Sequence, residues 1–333
     1  MIKIDGSYGE GGGQILRTAV SLSCITGEPV EINKIRAYRP KPGLAMQHLK
    51  GIEAAKMITS AEVEGLQVGS TRVVFKPHKV KSGSYTIDIQ TAGSVTLILQ
   101  TVLLPALTTE ISLKIKGGTD VKWSPPVDYM DNVTLKALKK MNASVSTKLV
   151  TRGYYPQGGG EIKVTTTSSK LRGFNFEQQE YPIQGISHSS NLPPHVAQRQ
   201  ASAAQKTLQS KGFDAHIDTQ VESYFSTGTG ITLWCGYKGG SALGEKGKKA
   251  EKVGEEAANN LLSELKSDSS FDRFLADQLM PFAAVASGNT TYTTSEITLH
   301  QKSNSYVIKE FFGPIIDIDE TKREIKIEGT GIL

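Results

Sequence analysis

Several short runs in this 333-residue chain combine residue types and spacing that chemistry requires. The first is Gly9-Glu10-Gly11-Gly12-Gly13-Gln14-Ile15-Leu16-Arg17, where glycines give way at once to a helical pattern with apolar Ile15, Leu16, Ala19 and Val20. Backbone N–H groups at a helix start carry partial positive charge, and glycines let an anion come close to the chain. Arg17, one turn in, can add a bidentate contact to the same anion. Glu10 makes sense beside phosphate when a divalent cation neutralises both, which reads as a magnesium-nucleotide site. The bland alternative is a glycine-rich turn with Glu10 as a helix-start charge. The second run, Arg36-Ala37-Tyr38-Arg39-Pro40-Lys41-Pro42-Gly43 leading to Gln47-His48, offers Arg36 and Arg39 to one anion on a proline-stiffened turn, or is a strand end with ordinary surface cations. The third, His300-Gln301-Lys302-Ser303-Asn304, carries an imidazole able to attack phosphorus and leave again, although a lone histidine is more often structural.

Other chemistries are excluded or weak. No G-x-x-x-x-G-K-[ST] run occurs, and the dinucleotide fingerprint fails because Gly9-x-Gly11-x-x is followed by Gln14. Lys3-Ile4-Asp5-Gly6 spells the K-x-D-G of ligases whose lysine takes up a nucleotide, but Met1 to Asp5 also reads as an opening strand and Tyr8 replaces the arginine expected there. Cys24 and Cys235 lie in an apolar run and beside Trp234, so both read as small core residues rather than a redox pair, and two cysteines build no zinc site. Lys and Arg exceed Asp and Glu by 38 − 33 = 5, which favours an acidic partner such as RNA or a nucleotide without requiring one. A second cationic cluster, Lys246 to Lys252, is interleaved with glutamates and reads as a solvated helix start. With no leader-like start and no apolar run of roughly 18 residues, a cytoplasmic protein without a membrane span is expected.

These runs need elements to hold them. Periodicity predicts strands at 31–35, 72–76, 85–89, 111–115, 161–165, 231–234, 296–299 and 315–318. Helices are predicted at 14–26, stopped by Gly27 and Pro29, and at 44–58, 94–107, 127–141, 196–210, 249–265 and 271–286. The result is an α/β or α+β protein of about two domains. The order strand, helix, strand, helix, strand, strand recurs faintly through the first 165 residues, although the echo of GGGQILR in GGGEIKV does not establish a repeat. After Pro182 the texture changes to a helix, two strands around a Gly228-Thr229-Gly230 turn and a charged helix, ending at a Ser/Asp-rich stretch. Residues 183–272 are therefore a candidate inserted small domain, with 1–182 and 273–333 forming one larger domain.

Taken together, these runs resemble the RNA 3′-terminal phosphate cyclase family along essentially the whole chain. The resemblance is carried by Gly9 to Arg17, Ile35-Arg36, Lys41-Pro42-Gly43, Gln47-His48-Leu49, Gly117-Gly118-Thr119-Asp120, Pro125-Pro126 and Gly153-Tyr154-Tyr155-Pro156 with Gly158-Gly159-Gly160. Further on it rests on His188 to Gln200, Leu275 to Gln278 and His300-x-x-Ser303-Asn304. It implies a large domain of repeated βαβαββ units interrupted by a small α/β domain like the C-terminal domain of a translation initiation factor. The implied activity is ATP-dependent conversion of an RNA 3′-phosphate to a 2′,3′-cyclic phosphodiester through a histidine-AMP intermediate, with release of AMP and pyrophosphate. ATP and a divalent cation, magnesium or manganese, would be required.

Position by position, the resemblance makes His300 the nucleophile and Glu10 the metal-binding carboxylate. Gln14, Arg17, Arg36, Arg39 and Gln47 form the phosphate and RNA-end set, with Gln100 approaching the same phosphates. Phe274, where the family often has tyrosine, would stack adenine with Pro125 or Pro126. Asp277 and Gln278 would meet the ribose, and Ser303 replaces a threonine. Other readings remain: a cyclase-like scaffold in ribosomal RNA maturation, a branch that lacks the nucleophilic histidine, and the lysine nucleotidyl transferase suggested by Lys3.

Overall fold

In the computed structural model, which describes residues 1–9 and 11–333, the chain is a mixed α/β protein with four four-stranded sheets. The first sheet comes from β1 (Ile2–Asp5), α1 (Gly13–Thr26), β2 (Val30–Asn33), α2 (Met46–Thr59), β3 (Glu62–Glu64) and β4 (Val73–Lys76), with strand order β1-β2-β4-β3. The second comes from β5 (Gly83–Asp88), α3 (Val95–Ala106), β6 (Ile111–Gly117), a helical stretch, β7 (Val145–Thr151) and β8 (Gly160–Thr166), ordered β5-β6-β8-β7. That helical stretch is α4 (Val127–Tyr129), a π-helical turn at Met130–Thr134 and α5 (Leu135–Lys140).

The third sheet has its first strand, β9 (Asn175–Phe176), far from the others in sequence. Between them run β10 (Ile183–Ser190), α6 (His195–Gln209), β11 (Ala215–Glu222), β12 (Gly228–Cys235), β13 (Lys238–Leu243) and α7 (Ala250–Leu265), whose strands form a separate sheet, β11-β10-β12-β13. The chain then completes the third sheet with α8 (Leu275–Gln278), α9 (Met280–Val285), β14 (Ser287–Thr293), α10 (Leu299–Phe312), β15 (Ile316–Asp319) and β16 (Glu324–Thr330), ordered β9-β14-β16-β15. In all three sheets the first two strands are parallel and the last two antiparallel, so one connectivity occurs three times.

Apolar burial explains the layering. Eleven of the twelve residues of α3 are buried, as a helix that is apolar on most sides must be. Its neighbours α1 and α2 bury the stripes of Ile15, Leu16, Ala19 and of Ile52, Ala55, Ile58. One apolar cluster joins the three like-ordered sheets, and a smaller one, from Ile183 to Leu262, lies under β10, β12 and β13 against α6 and α7. Trp234 and Tyr237 belong to the larger cluster and so dock this segment on the rest. An ion cluster fastens the same junction: buried Arg152 pairs with Asp120 and Asp128, while His188 on β10 lies 3.3 Å from Asp120.

Most predicted elements are present within a residue or two, and α1 stops as expected at Gly27, φ +74°. Three readings are corrected. Residues 296–299 form no strand: Thr298 and the Gln301 side chain make a reciprocal capping box that starts α10 instead. Gly228 to Gly230 are not a turn but the start of β12, and the chain reverses at Gly236-Tyr237. The predicted helix 271–286 is broken, because the Asp272 carboxylate takes the N–H groups of Phe274 and Leu275 and the last part restarts at Met280-Pro281. Cys24 is buried and Cys235 half-buried, both as free thiols. No helix is long and apolar enough to cross a membrane.

Candidate active site

The site is assembled on the N-terminus of α1. Gly12 is its N-cap and has no side chain to satisfy the first N–H groups of the helix. Gly9 holds φ +59°, a left-handed conformation that glycine adopts without strain, and lies against Ser303 on α10. The glycine loop therefore meets the helix that carries His300. Glycine is required at position 13 for a different reason: a methyl there would overlap the imidazole of His48, which packs directly on the backbone.

His300 occupies the second turn-forming position of α10, fixed by the capping box one residue before the helix. Its side chain is 47 % exposed, and its Nδ1 lies 3.7 Å from Oδ2 of the nearly buried Asp277. Gln14, on α1, donates its amide to the Asp277 carboxylate and sits 3.4 Å from the His300 carbonyl. Asn304, one turn after His300, completes the frame by donating to the Asp277 carbonyl at 2.7 Å and accepting from the Thr18 hydroxyl at 2.7 Å. One face of α1, Gln14 and Thr18, thus meets one face of α10, His300 and Asn304, each pair four residues apart.

Arg17, Gln100, Gln278 and Asp277 line a single cleft between α1, α3, α8, α9 and α10. Burial pushes the Arg17 guanidinium down to about 10, opposed by the Asp277 charge, so Arg17 remains a cation at neutral pH. Across the helix start, Arg39 is exposed with its guanidinium beside Gly12, and Arg36, at φ +53°, donates to the Gly43 carbonyl at 3.0 Å. Desolvation, and then the proximity of Arg39, lower the Arg36 pKa. Gln47 is half-buried at the start of α2 and touches Gly93.

Pro125 and Pro126 precede α4, where the Pro125 carbonyl accepts from Thr96 at 2.7 Å. Phe274 is 53 % exposed. The two segments are tied together by Asp272, which accepts from Tyr129 Oη at 2.8 Å and from the Phe274 N–H at 2.9 Å. Gln278 accepts from Thr134 at 3.0 Å. Glu10 lies outside the described residues. Lys3 is exposed on β1 opposite Glu31.

Two contributors carried no role in the sequence reading. His48 is buried with an unpartnered Nδ1, and burial, then the charges of Arg17 and Arg36, push its pKa down to about 3, so it is a neutral ring at neutral pH. Asn304 was visible as the residue four after His300, the spacing that puts both on one helical face. The arrangement is chemically specific: an exposed imidazole beside a carboxylate, set over a helix start with flanking cations, suits nucleophilic attack on a phosphate ester.

Comparison with known proteins agrees with the geometry. A family model described as RNA 3′-terminal phosphate cyclase matches residues 8–318. The chain is 58 % identical over 328 residues to an RNA 3′-terminal phosphate cyclase of Archaeoglobus fulgidus, covering 98 % of this chain and 100 % of that protein. It is 50 % identical to the protein of that name from Methanosarcina barkeri, covering 93 % and 94 % of the two chains. With the one from Pyrococcus furiosus it shares 49 % identity over 96 % and 95 %.

Proposed function

The chain belongs to the RNA 3′-terminal phosphate cyclase family, and from that premise we propose that it converts an RNA 3′-phosphate to a 2′,3′-cyclic phosphodiester at the expense of ATP. The single observation that carries this reading is the exposed His300 ring beside Asp277 at the mouth of the glycine-lined helix start. The scaffold and lysine-transferase readings fare worse. A scaffold branch has no use for an accessible histidine set against a carboxylate, and Lys3 is an exposed strand residue opposite Glu31 that is not among the residues lining the cleft of Arg17 and Asp277.

The chemistry explains why a nucleotide is consumed. A terminal phosphate cannot cyclise by expelling an oxide at neutral pH, so the phosphate needs a better leaving group. A nitrogen of His300 attacks the α-phosphorus of ATP, a P–N bond forms and pyrophosphate leaves. Asp277 beside Nδ1 favours the tautomer with hydrogen on that nitrogen, leaving Nε2 as the nucleophile. The RNA 3′-phosphate oxygen then takes the adenylyl group, breaking the P–N bond. Finally the adjacent 2′-oxygen attacks the 3′-phosphorus, its proton departs and AMP is released. This last step is intramolecular, where effective molarities reach about 10⁵–10⁸ M, so positioning outweighs a strong base.

In this scheme Gln14, Arg17 and Gln100 hold the ATP phosphates, Arg36, Arg39 and Gln47 hold the RNA end, and Phe274 with Pro125 or Pro126 stacks adenine. Asp277 and Gln278 approach the ribose, Asp277 also orienting His300. A divalent cation fits the donor set, since the buried Oε1 of Gln14 has no hydrogen-bond partner and is an oxygen of the kind hard cations accept. Glu10 and this oxygen would hold it, and it would offset charge on the phosphates. We also propose that residues 183–272 are an inserted small domain of initiation-factor type, supported by their separate sheet and apolar cluster. A cytoplasmic location fits this chemistry.

Incubation with an RNA ending in 3′-phosphate, ATP and magnesium tests the activity. The terminal phosphate should become resistant to phosphatase, with AMP formed in equal amount. An end that stays phosphatase-sensitive while ATP is intact would reject the reading.

A further inference from the structure

The four most exposed large apolar side chains among the described residues are all aromatic: Trp123 at 96 %, Tyr155 at 78 %, Tyr38 at 77 % and Phe225 at 74 %. Single exposed apolar residues are ordinary, but these four lie on loops that touch one another in sequence around one rim. Tyr38 sits between Arg36 and Arg39 at the phosphate cradle. Gln47, at the foot of the same loop, packs on Gly93, and the adjoining Ala92 packs on both Gly118 and Gly158. Thr119 donates to the Gly153 carbonyl at 2.8 Å, which joins the loop of Trp123 to the loop of Tyr155. Tyr154 donates to Ser226 Oγ at 2.8 Å and the Phe225 ring covers Gly159, which joins both to the β11–β12 loop. Trp123 is held at φ +61°, uncommon for so bulky a residue. Lys122 and Lys41 add exposed positive charge along the rim, with Lys122 2.9 Å from Glu245.

We propose that this rim is the track of the RNA strand upstream of its 3′ end, with unpaired bases stacking on Tyr38, Tyr155, Phe225 and Trp123. The identity of the ligand rests on the proposed function; the rim itself rests on exposure and contact. Once a 3′-phosphate occupies the cradle beside Arg36, the preceding nucleotides must leave across the surface that adjoins it. Aromatic faces bind any base, because every base has a π-face, and nearby cations accompany the backbone. A paired strand keeps its bases stacked on one another, so the site favours single-stranded ends and reads little sequence.

The two tryptophans make the test direct, since Trp123 is exposed and Trp234 is 8 % exposed, so iodide reaches Trp123 in the native chain. An unpaired 3′-phosphate RNA of about twelve nucleotides, a length typical of single-strand sites, should quench Trp123 and shield it from iodide. The 3′-phosphate dinucleotide should not. Replacing Tyr155→Ala together with Phe225→Ala should lower affinity for the longer RNA roughly tenfold or more, and the Tyr155→Phe, Phe225→Tyr pair should restore it, because stacking and not hydroxyl chemistry is at stake. The rim is overturned if the longer RNA binds with unchanged emission and the alanine pair binds it as tightly as the native protein. Cyclisation of the dinucleotide separates the two ideas: its formation alongside an indifferent rim refutes the track alone, whereas failure with every RNA refutes the function.

Discussion

Removing the Arg36 guanidinium tests the proposed separation between the ATP phosphates and the RNA end. Arg36 and its neighbour Arg39 are absent from the lining of the cleft that holds Arg17, Gln100 and Asp277. Arg36→Ala should weaken use of a 3′-phosphate end by about tenfold to hundredfold, the worth of a charge-assisted hydrogen bond, while leaving self-adenylylation nearly intact. Equal loss in both assays would contradict the assignment. His48 yields a pH prediction. Its pKa is about 3 in the folded chain against 6.5 for the free group, so the unfolded chain binds the extra proton between those values. Stability from this residue is complete above about 6.5 and is lost progressively as pH falls towards 3. His48→Gln should flatten that loss, visible as a smaller difference between urea midpoints at neutral and mildly acidic pH. An unchanged difference would mean that the ring is protonated when folded.

At the scale of elements, α1 and α10 act as one unit through Asn304. Its amide is 2 % exposed and serves both the Asp277 carbonyl and the Thr18 hydroxyl. Asn304→Ala leaves two buried polar groups without partners and should cost about 1–3 kcal/mol of stability in denaturant unfolding. It should also slow adenylylation more than it weakens RNA binding, because Asp277 loses its fixed distance to His300. The start of α10 shows what sequence reading missed and why. Alternating apolar residues at Ile297 and Leu299 imitate a strand, whereas Thr298-x-x-Gln301 is a capping signature that decides the matter locally. Similarly, Gly228 and Gly230 resemble a turn by composition, but β12 pairs with β10 on one side and β13 on the other, and long-range pairing prevails over local preference. The glycine-to-helix step at Gly12-Gly13 was legible because its signal is local. The contacts of His48 with Gly13 and of Gln14 with Asp277 join residues too distant in the chain for periodicity to show.

For the molecule as a whole, the threefold recurrence of one sheet order was faintly visible in the first 165 residues and invisible in the third instance, which is split between β9 and β14. The buried cluster of Arg152, Asp120, Asp128 and His188 is the polar fastening between β10 of the intervening segment and the rest of the chain. Arg152→Ala strands two carboxylates in the interior and should cost about 3–5 kcal/mol, measured as a lowered urea midpoint. A change within error would show that water reaches the cluster. The cyclase account depends on the His300 imidazole beside Asp277. After incubation with α-labelled ATP and magnesium, denaturation and peptide mapping should find AMP on His300, with no label in His300→Ala and full label in Lys3→Ala. Label absent from the native protein, or carried by Lys3 instead, would contradict it.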